Sequence, residues 1–503
     1  MPSAELTLDP HFTVGPVHRR LFGSFVEHLG RCVYDGIFEP GHPTADEDGF
    51  RTDVVALVRE LGVSTIRYPG GNFVSGFRWE DAVGPREERP ARLDLAWHST
   101  ESNQVGLDEF ARWLEKVDSE LMYAVNLGTR GVLEALDVLE YANIRSGTKL
   151  SDTRIKNGRV EPYRIAMWCL GNEMDGPWQL GHRNAEDYGK LASQTAKAMR
   201  QLDHSLELVV CGSSNAQMPT FGAWEHTVLL HTYEDVDYIS CHAYYQEFDG
   251  DAGSFLAAAT NMDHFIESVV ATADTVRAEL RQTKRINLSF DEWNVWYQTR
   301  YRDVEKITDL EQWPSAPRLL EDSYSVLDAV VVGNLLISLL KHADRVTSAS
   351  LAQLVNVIAP IMTEPGGPAW RQTTFFPFAI TSRLAVGQAL DVKLASDTYT
   401  TAAYGEVPVV DAVATHDAAT GRTAIFIVNR SVDQAARVQV DVSHLGQVTV
   451  LETHTLADDN IYAKNTLDDQ KRVGVHPNGS AGITDGTLTV ELPPVSWTAV
   501  ALG

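Results

Sequence analysis

Two acidic residues stand out because each lies in or just after a short apolar run. Glu173 follows Asn172 in "WCLGNEMDGPW" (168–178), and Glu292 follows Asp291 in "SFDEWNVWY" (289–297). A charged residue at the end of a buried strand usually has an oppositely charged or hydrogen-bonding partner, or a functional role. Two facing carboxyl groups are suited to cleaving a glycosidic bond, because one protonates the leaving oxygen while the other acts at the anomeric carbon.

Other apolar runs also end in polar residues. The further candidates are Glu27, Arg67, Asn72, Asn172, His242, Tyr244 and Gln353. Each alone would most often be a turn or helix-cap residue. Together they predict one polar cavity, in which Arg67 and the Tyr244 hydroxyl help to keep a nucleophile ionised. Candidate apolar platforms for sugar rings, each individually more often a packing residue, are Trp79, Trp97, Trp178, Trp293 and Trp296.

The elements that must position these residues alternate along the chain. Short runs rich in β-branched and aromatic residues predict eight strands, at 21–28, 63–71, 121–128, 163–173, 207–215, 236–245, 285–294 and 346–356. Segments with helical spacing follow them, most clearly at 53–62, 107–117, 185–202, 262–280 and 323–344.

Eight strand–helix units with near-continuous apolar strands predict a parallel (β/α)8 (TIM) barrel over residues 17–385, an α/β fold. The alternative is an open, doubly wound sheet, but no glycine-rich phosphate loop follows the first strand. In a barrel, the carboxyl ends of all the strands face one site, which would gather the polar residues.

The final segment, residues 386–503, has a different texture. Runs such as "RTAIFIVNR" and "GTLTVELPPVSWTAVAL" alternate apolar and polar residues with period two, and Gly, Asp and Asn separate them. This pattern predicts a C-terminal antiparallel β-sandwich, jelly-roll-like in type. Residues 1–16 are also strand-like, and we expect them to join that sandwich.

The bulk composition restricts the partners. A formal charge of −26 argues against nucleic acid and anionic membrane surfaces, although a solvated acidic surface is the simpler reading. The four cysteines are far apart, without CxxC motifs, so neither a disulfide framework nor a zinc site is expected. The first twenty residues have no apolar core of a signal peptide, which predicts a cytoplasmic protein.

The candidate residues also resemble a known family. Arg67, Asn172-Glu173, His242-x-Tyr244 and Glu292 are similar to the pattern of retaining (β/α)8 glycosidases that carry the acid/base on strand four and the nucleophile on strand seven. Longer motifs closely resemble glycoside hydrolase family 51, the intracellular bacterial α-L-arabinofuranosidases: "FGSFVEHLGRCVYDGIFEPGHPTADEDGFR", "IRYPGGNFVSGFRWED", "WCLGNEMDGPWQLGH", "SFDEWNVWY" and "LPPVSWTAVAL".

The resemblance implies a role for each matched residue. Glu173 would be the general acid/base, and Glu292 the nucleophile. Residues expected to bind the furanose hydroxyls are Glu27, Asn72, Asn172 and Gln353. Tyr244 would bind substrate and orient the nucleophile, and those expected to support the site are Arg67, His242 and Trp296.

The implied activity is that of a retaining exo-α-L-arabinofuranosidase acting on arabino- and arabinoxylo-oligosaccharides. The resemblance implies no cofactor and no metal, and it favours a homo-oligomer, commonly a hexamer in this family. Two alternatives stay open at this point: another specificity on the same framework, such as an endo-β-glucanase or a β-xylosidase, and a sugar-binding protein without activity.

Overall fold

A computed structural model describes all residues, 1–503, and its centre is a closed barrel of eight parallel strands. Each of the eight predicted runs overlaps one barrel strand, so the predicted fold class is confirmed. The 25 strands of the whole chain are β1 (Ser3–Thr7), β2 (Thr13–Pro16), β3 (Gly23–Phe25), β4 (Thr65–Tyr68), β5 (Arg92–Asp94), β6 (Ser99–Glu101), β7 (Glu120–Ala124), β8 (Met167–Leu170), β9 (Glu207–Val210), β10 (Tyr238–Tyr245), β11 (Asn287–Val295), β12 (Val346–Ala352), β13 (Ile361–Thr363), β14 (Ala369–Arg371), β15 (Gln388–Leu390), β16 (Lys393–Ser396), β17 (Thr398–Thr401), β18 (Gly405–Pro408), β19 (Val410–Asp417), β20 (Arg422–Asn429), β21 (Ala436–Asp441), β22 (Val450–Leu456), β23 (Gly482–Thr484), β24 (Thr487–Leu492) and β25 (Ser496–Leu502).

The barrel closes in chain order, β3-β4-β7-β8-β9-β10-β11-β12, and β12 pairs back to β3. The helices are α1 (Thr52–Leu61), α2 (Leu107–Val117), α3 (Val132–Asn143), α4 (Lys149–Lys156), α5 (Ala185–Leu202), α6 (Ala223–Thr232), α7 (Ala252–Leu256), α8 (Ala259–Glu279), α9 (Gln298–Arg300), α10 (Val326–Lys341) and α11 (Phe375–Leu384). The five clearest predicted helices correspond to α1, α2, α5, α8 and α10. None of the helices is long and apolar enough to cross a membrane.

The C-terminal part folds into two sheets that share a core. The first has the order β16-β1-β21-β24-β23, and the second β2-β15-β19-β20-β25-β22. Residues from both, such as Leu6, Val438, Ile425 and Val500, pack in one apolar cluster between them. The two N-terminal strands, β1 and β2, lie one in each sheet.

One pairing differs from the antiparallel prediction. Strand β1 runs parallel to β21, with Leu6 opposite Val440. A parallel pair needs a long connection rather than a hairpin, and the whole barrel provides it here. We keep 1–16, 17–385 and 386–503 as the proposed domain division.

The sandwich is fastened to the barrel by α10. Fifteen of its sixteen residues are buried, from Val326 to Leu340. It contacts β11 and β12 of the barrel on one side and β19, β20 and β25 of the sandwich on the other. At Gly333 a side chain would meet the Trp497 ring at 2.2 Å, so glycine lets the helix and β25 approach closely.

Candidate active site

A β-bulge in β11 brings two successive carboxylates to the same side. Ser289 lies opposite Ser240, but the next paired residue of β11, Glu292, lies opposite His242, so β11 carries one extra residue. In a regular strand Asp291 and Glu292 would point to opposite faces. Here both approach Arg67: Nη1 lies 2.9 Å from Glu292 Oε1, and Nε lies 3.8 Å from Asp291 Oδ2.

The Glu292 carboxylate is surrounded by donors. Arg67 donates to one oxygen, and the Tyr244 hydroxyl donates to the other at 2.7 Å. His242 Nδ1 lies 3.6 Å from that second oxygen. Burial alone would raise the pKa of Glu292, but the positive charges of His242 and Arg67 and the Tyr244 hydrogen bond lower it below the ordinary 4.5.

Glu173 lies in the loop that begins where β8 ends, with a left-handed φ of 42°. Its Oε1 pairs with His242 Nδ1 at 3.0 Å, and its Oε2 accepts a hydrogen bond from Trp178 Nε1 at 2.6 Å. Burial and the negative charge of Glu292 raise the pKa of Glu173 above 4.5, against the opposing effect of the His242 bond. The pKa values of Glu173 and Glu292 are therefore shifted in opposite directions.

The separation of the two carboxyl groups distinguishes direct attack from attack by an intervening water. One carboxylate oxygen of Glu173, one of Glu292 and one ring nitrogen of His242 all lie within 4.8 Å of one another. Retaining glycosidases place their carboxyl groups ~5–5.5 Å apart, whereas inverting enzymes need ~6.5–9.5 Å. The arrangement therefore fits direct attack by one carboxylate on a sugar that the other protonates.

The same three side chains are of types that bind metal ions. Arg67, Tyr244 and Trp178 already donate to the two carboxylates. The chain itself thus supplies positive charge and hydrogen bonds to the oxygens that a cation would need.

Arg67 and Asn172 form a chain of hydrogen bonds that connects Glu292 to Asn72. Arg67 Nη2 donates to Asn172 Oδ1 at 2.5 Å, and Asn172 Nδ2 donates to Asn72 Oδ1 at 3.3 Å. The Arg67 guanidinium lies over the Phe25 ring, 5.2 Å from its centre. The amide beside the acid is thereby held in one orientation next to Asn72.

The carboxylate of Glu27 forms a separate polar wall of the site. It is buried, and its Oε1 accepts from the Phe73 backbone N–H at 2.8 Å and from Trp97 Nε1 at 2.7 Å. Gln353 Nε2 donates to the other oxygen at 3.2 Å. Burial raises the pKa of Glu27 well above its ordinary value. Space for the carboxylate comes from Gly71, where a Cβ would lie 2.1 Å from Glu27.

Every predicted site residue lies on the carboxyl-end side of the barrel, and hydrogen bonds or ring contacts link them into two groups. Trp296 packs edge-on against Tyr244, with ring centres 5.0 Å apart. Two candidate platforms belong to the core instead: Trp293 is fully buried, and Trp79 packs on Tyr141. Trp97 and Trp178 were predicted as apolar platforms, but their indole N–H groups donate to Glu27 and Glu173. Sequence reasoning missed this role for Trp97 because only the fold brings it to Glu27, whereas Trp178, five residues after Glu173, left a local signal.

Comparisons with known proteins agree with this site. Residues 57–252 match the model of the α-L-arabinofuranosidase 1 domain, and residues 291–496 that of the α-L-arabinofuranosidase C-terminal domain. An exo-α-(1→6)-L-arabinofuranosidase of Bifidobacterium longum is 59% identical, over 99% of this chain and 97% of its own length. An intracellular exo-α-(1→5)-L-arabinofuranosidase of Streptomyces lividans is 60% identical, over 99% of this chain and 75% of its own length.

A solved structure gives the same result. A family 51 α-L-arabinofuranosidase from Bifidobacterium longum, AbfB, superposes with a TM-score of 0.96 at 50% identity, and the match covers 100% of both chains. A xyloglucanase of glycoside hydrolase family 44 from Paenibacillus polymyxa has a TM-score of 0.59 at 12% identity, so it shares the fold alone.

Proposed function

Because the chain belongs to glycoside hydrolase family 51, the α-L-arabinofuranosidases, we propose that Glu292 is the nucleophile and Glu173 the acid/base of a retaining exo-α-L-arabinofuranosidase. The observation that carries the assignment is that one oxygen of Glu173 lies within 4.8 Å of one oxygen of Glu292, together with the opposite pKa shifts of the two carboxyl groups. Exo-acting arabinofuranosidase activity is what the close relatives share.

In the first step Glu292 attacks the anomeric carbon of a terminal arabinofuranosyl unit. Glu173 gives its proton to the oxygen of the breaking bond, so the leaving sugar departs neutral. The bond from Glu292 to the sugar forms as the glycosidic bond breaks. Arg67 and Tyr244 hold the attacking carboxylate ionised and oriented toward the sugar.

In the second step Glu173, now deprotonated, takes a proton from a water that attacks the same carbon. The ester bond to Glu292 breaks, and arabinose leaves with its original configuration. We assign Asn172, Asn72, Glu27 and Gln353 to the sugar hydroxyls. Their side chains lie on the walls beside the two glutamates and present amide donors and carboxylate acceptors.

The proposed substrates are short arabino- and arabinoxylo-oligosaccharides inside the cell, which agrees with the name of the Streptomyces lividans relative. We also propose that the protein is a homo-oligomer, with a hexamer expected from the family resemblance. The alternatives of a β-xylosidase, an endo-β-glucanase or an inactive sugar-binding protein are not favoured, since relatives at 59% and 60% identity are named arabinofuranosidases.

Two variants test the assignment. Glu292→Ala should lose nearly all turnover on every substrate. Glu173→Ala should lower kcat/KM for oligosaccharides by about 10²–10⁴-fold, and far less for an aryl α-L-arabinofuranoside whose good leaving group needs no proton. Glu60→Ala, an exposed residue of α1, is the control.

Equal loss of Glu173→Ala activity on good and poor leaving groups would contradict the acid role. Proton NMR of the first product anomer tests retention, and a β-configured first product would exclude it. Aryl β-xyloside and β-glucan, assayed beside the arabinofuranoside, distinguish the alternatives.

A further inference from the structure

The turn between β5 and β6 brings one side chain to the catalytic centre. The two strands pair antiparallel with Asp94 opposite Ser99, so residues 95–98 connect them. Trp97 is buried in this turn, and its indole donates to Glu27 at 2.7 Å. The position of that indole therefore depends on how the backbone of the turn is held.

The carboxylate of Asp94 holds the turn from inside. Its Oδ1 accepts from the Ala96 N–H at 3.0 Å, and its Oδ2 accepts from the Trp97 N–H at 3.2 Å. The Ser99 hydroxyl donates to the same Oδ2 at 3.5 Å, from the far end of the turn. Both oxygens of Asp94 thus bind the turn, and one of them binds the residue that reaches Glu27.

The loop that follows β11 holds the same turn from outside. His98 stacks on Trp313, with ring centres 3.8 Å apart, and its Nε2 lies 2.9 Å from the carbonyl oxygen of Asp309. The Thr100 N–H donates to the Pro314 carbonyl at 3.0 Å. These contacts fix the turn as a whole, which leaves the Asp94 carboxylate to set the backbone at Trp97.

Asp94 is buried, which is unfavourable for a carboxylate. Burial raises the pKa of Asp94 to about 7, although the hydrogen bonds from the Ala96 and Trp97 N–H groups oppose that shift. Aspartates that close turns are mostly exposed to water. A buried acidic group with a shifted pKa, one residue contact away from a substrate-binding carboxylate, therefore suggests a role beyond closing the turn.

We propose that Asp94 is a positioning residue of the glycosidase site, which holds the Trp97 indole at Glu27 and so aims Glu27 at the sugar hydroxyls. The inference rests on the proposed function, which assigns Glu27 to those hydroxyls. Asp94 acts through Trp97, since its hydrogen bonds all go to the turn.

A double-mutant cycle tests this connection. Trp97→Phe removes the indole donor but keeps an aromatic ring, and Asp94→Ala releases the turn. Each should lower kcat/KM for 4-nitrophenyl α-L-arabinofuranoside about tenfold, because each removes or misplaces the hydrogen bond to the Glu27 carboxylate. Two independent effects would multiply to about a hundredfold in the double variant. Because Asp94 acts through Trp97, we expect the double variant to lose only about tenfold.

Two further variants separate positioning from a general effect on the fold. Asp94→Asn keeps one acceptor oxygen and should recover part of the activity lost in Asp94→Ala. Asp417→Ala is the matched control, because Asp417 accepts from the Ala419 N–H at 3.1 Å in the turn between β19 and β20. That bond also spans two residues, and its loss should change kcat/KM less than twofold.

The outcomes distinguish the proposal from the function on which it rests. A double variant about a hundredfold less active than the unaltered enzyme would overturn the proposal. Full activity in Asp94→Ala, or an Asp94→Asn variant no more active than Asp94→Ala, would do the same. If the unaltered enzyme did not hydrolyse the nitrophenyl arabinofuranoside, the proposed function itself would fail.

Discussion

At the residue scale, the neighbours of two glutamates in one pocket shift the pKa values of their carboxyl groups in opposite directions. Glu292 faces Arg67, Tyr244 and His242, which favour its charged form. Burial of Glu173 and the negative charge of Glu292 favour the protonated form of Glu173. Such a divergence is how two identical carboxyl groups take the roles of nucleophile and acid.

These shifts predict the pH dependence of kcat/KM. Glu292 must be ionised and its pKa is lowered, so the acidic limb should have its midpoint below the ordinary 4.5. Glu173 must be protonated and its pKa is raised, so the basic limb should lie above 4.5. The pH profile with an arabino-oligosaccharide, whose leaving sugar needs the proton of Glu173, measures both limbs.

Glu173→Gln separates the two groups in that experiment. The basic limb should disappear, because the titrating acid is gone, while the acidic limb of Glu292 remains. His242 also titrates in the pocket, and the charges of Glu292 and Glu173 raise its pKa despite its burial. A basic limb that persists unchanged in Glu173→Gln would therefore assign that limb to His242.

At the element scale, small backbone irregularities position the chemistry. The bulge of β11 turns Asp291 and Glu292 to one side. Gly70 and Gly71, both with positive φ, form the turn after β4 that leaves room for Phe25 and Glu27. Regular strands and an ordinary turn would not bring these carboxylates to Arg67 and Phe73.

Gly71→Ala tests the turn. The new methyl group would overlap the Glu27 carboxylate and displace it from the Phe73 N–H and Trp97. A displacement near 1 Å at a substrate-positioning residue can cost about 100-fold, so we expect kcat/KM for the aryl arabinofuranoside to fall by about that factor.

The control for this prediction is Gly250→Ala. Gly250 also has a positive φ, 75°, but nothing lies within 4 Å of a Cβ there. It reproduces the backbone strain without the overlap. Comparable loss of activity in both variants would mean that strain, rather than the position of Glu27, explains the Gly71→Ala result.

At the scale of the whole molecule, a buried ionic network supports the packing of sandwich on barrel. Asp411 of β19 accepts from Arg430 Nη2 and from Asn334 Nδ2, each at 2.8 Å. Lys341 of α10 lies 3.3 Å from Asp411 and 3.2 Å from Asp263 of α8. The network thus joins β19 to two barrel helices.

Asp411→Asn should destabilise the protein by about 3 kcal/mol, because it leaves the buried Arg430 and the partly buried Lys341 with less compensating charge. Burial would raise the pKa of Asp411, but Lys341 and Arg430 lower it. The contribution of the Asp411 carboxylate to stability is therefore fully present above the ordinary carboxyl pKa. It is lost as the pH falls through the lowered pKa of Asp411 in the folded protein.

Chemical denaturation at neutral pH measures the effect. The control is Asp391→Asn, whose side chain is half-exposed and pairs with the exposed Lys393. Equal changes in the two variants would show that the Asp411 network adds nothing to stability.

Much of the fold was predictable because its signals are local. The apolar runs at the eight barrel strands and the helical spacing of segments such as α5 need no knowledge of distant contacts. The parallel pairing of β1 with β21 was not predictable, since their partner choice depends on how the two ends of the chain meet across the barrel.

The sequence by itself determined the strand–helix alternation, the residue types at the strand ends and, through long motifs, the family to which Glu173 and Glu292 belong. Only the tertiary structure decided that Asp291 and Glu292 share one side, that Trp97 reaches Glu27, and that the turn between β5 and β6 meets the loop after β11. The physical reason is that periodicity and residue type are encoded within a few neighbours, whereas side-chain direction at a bulge and contacts between loops depend on the closure of the whole barrel.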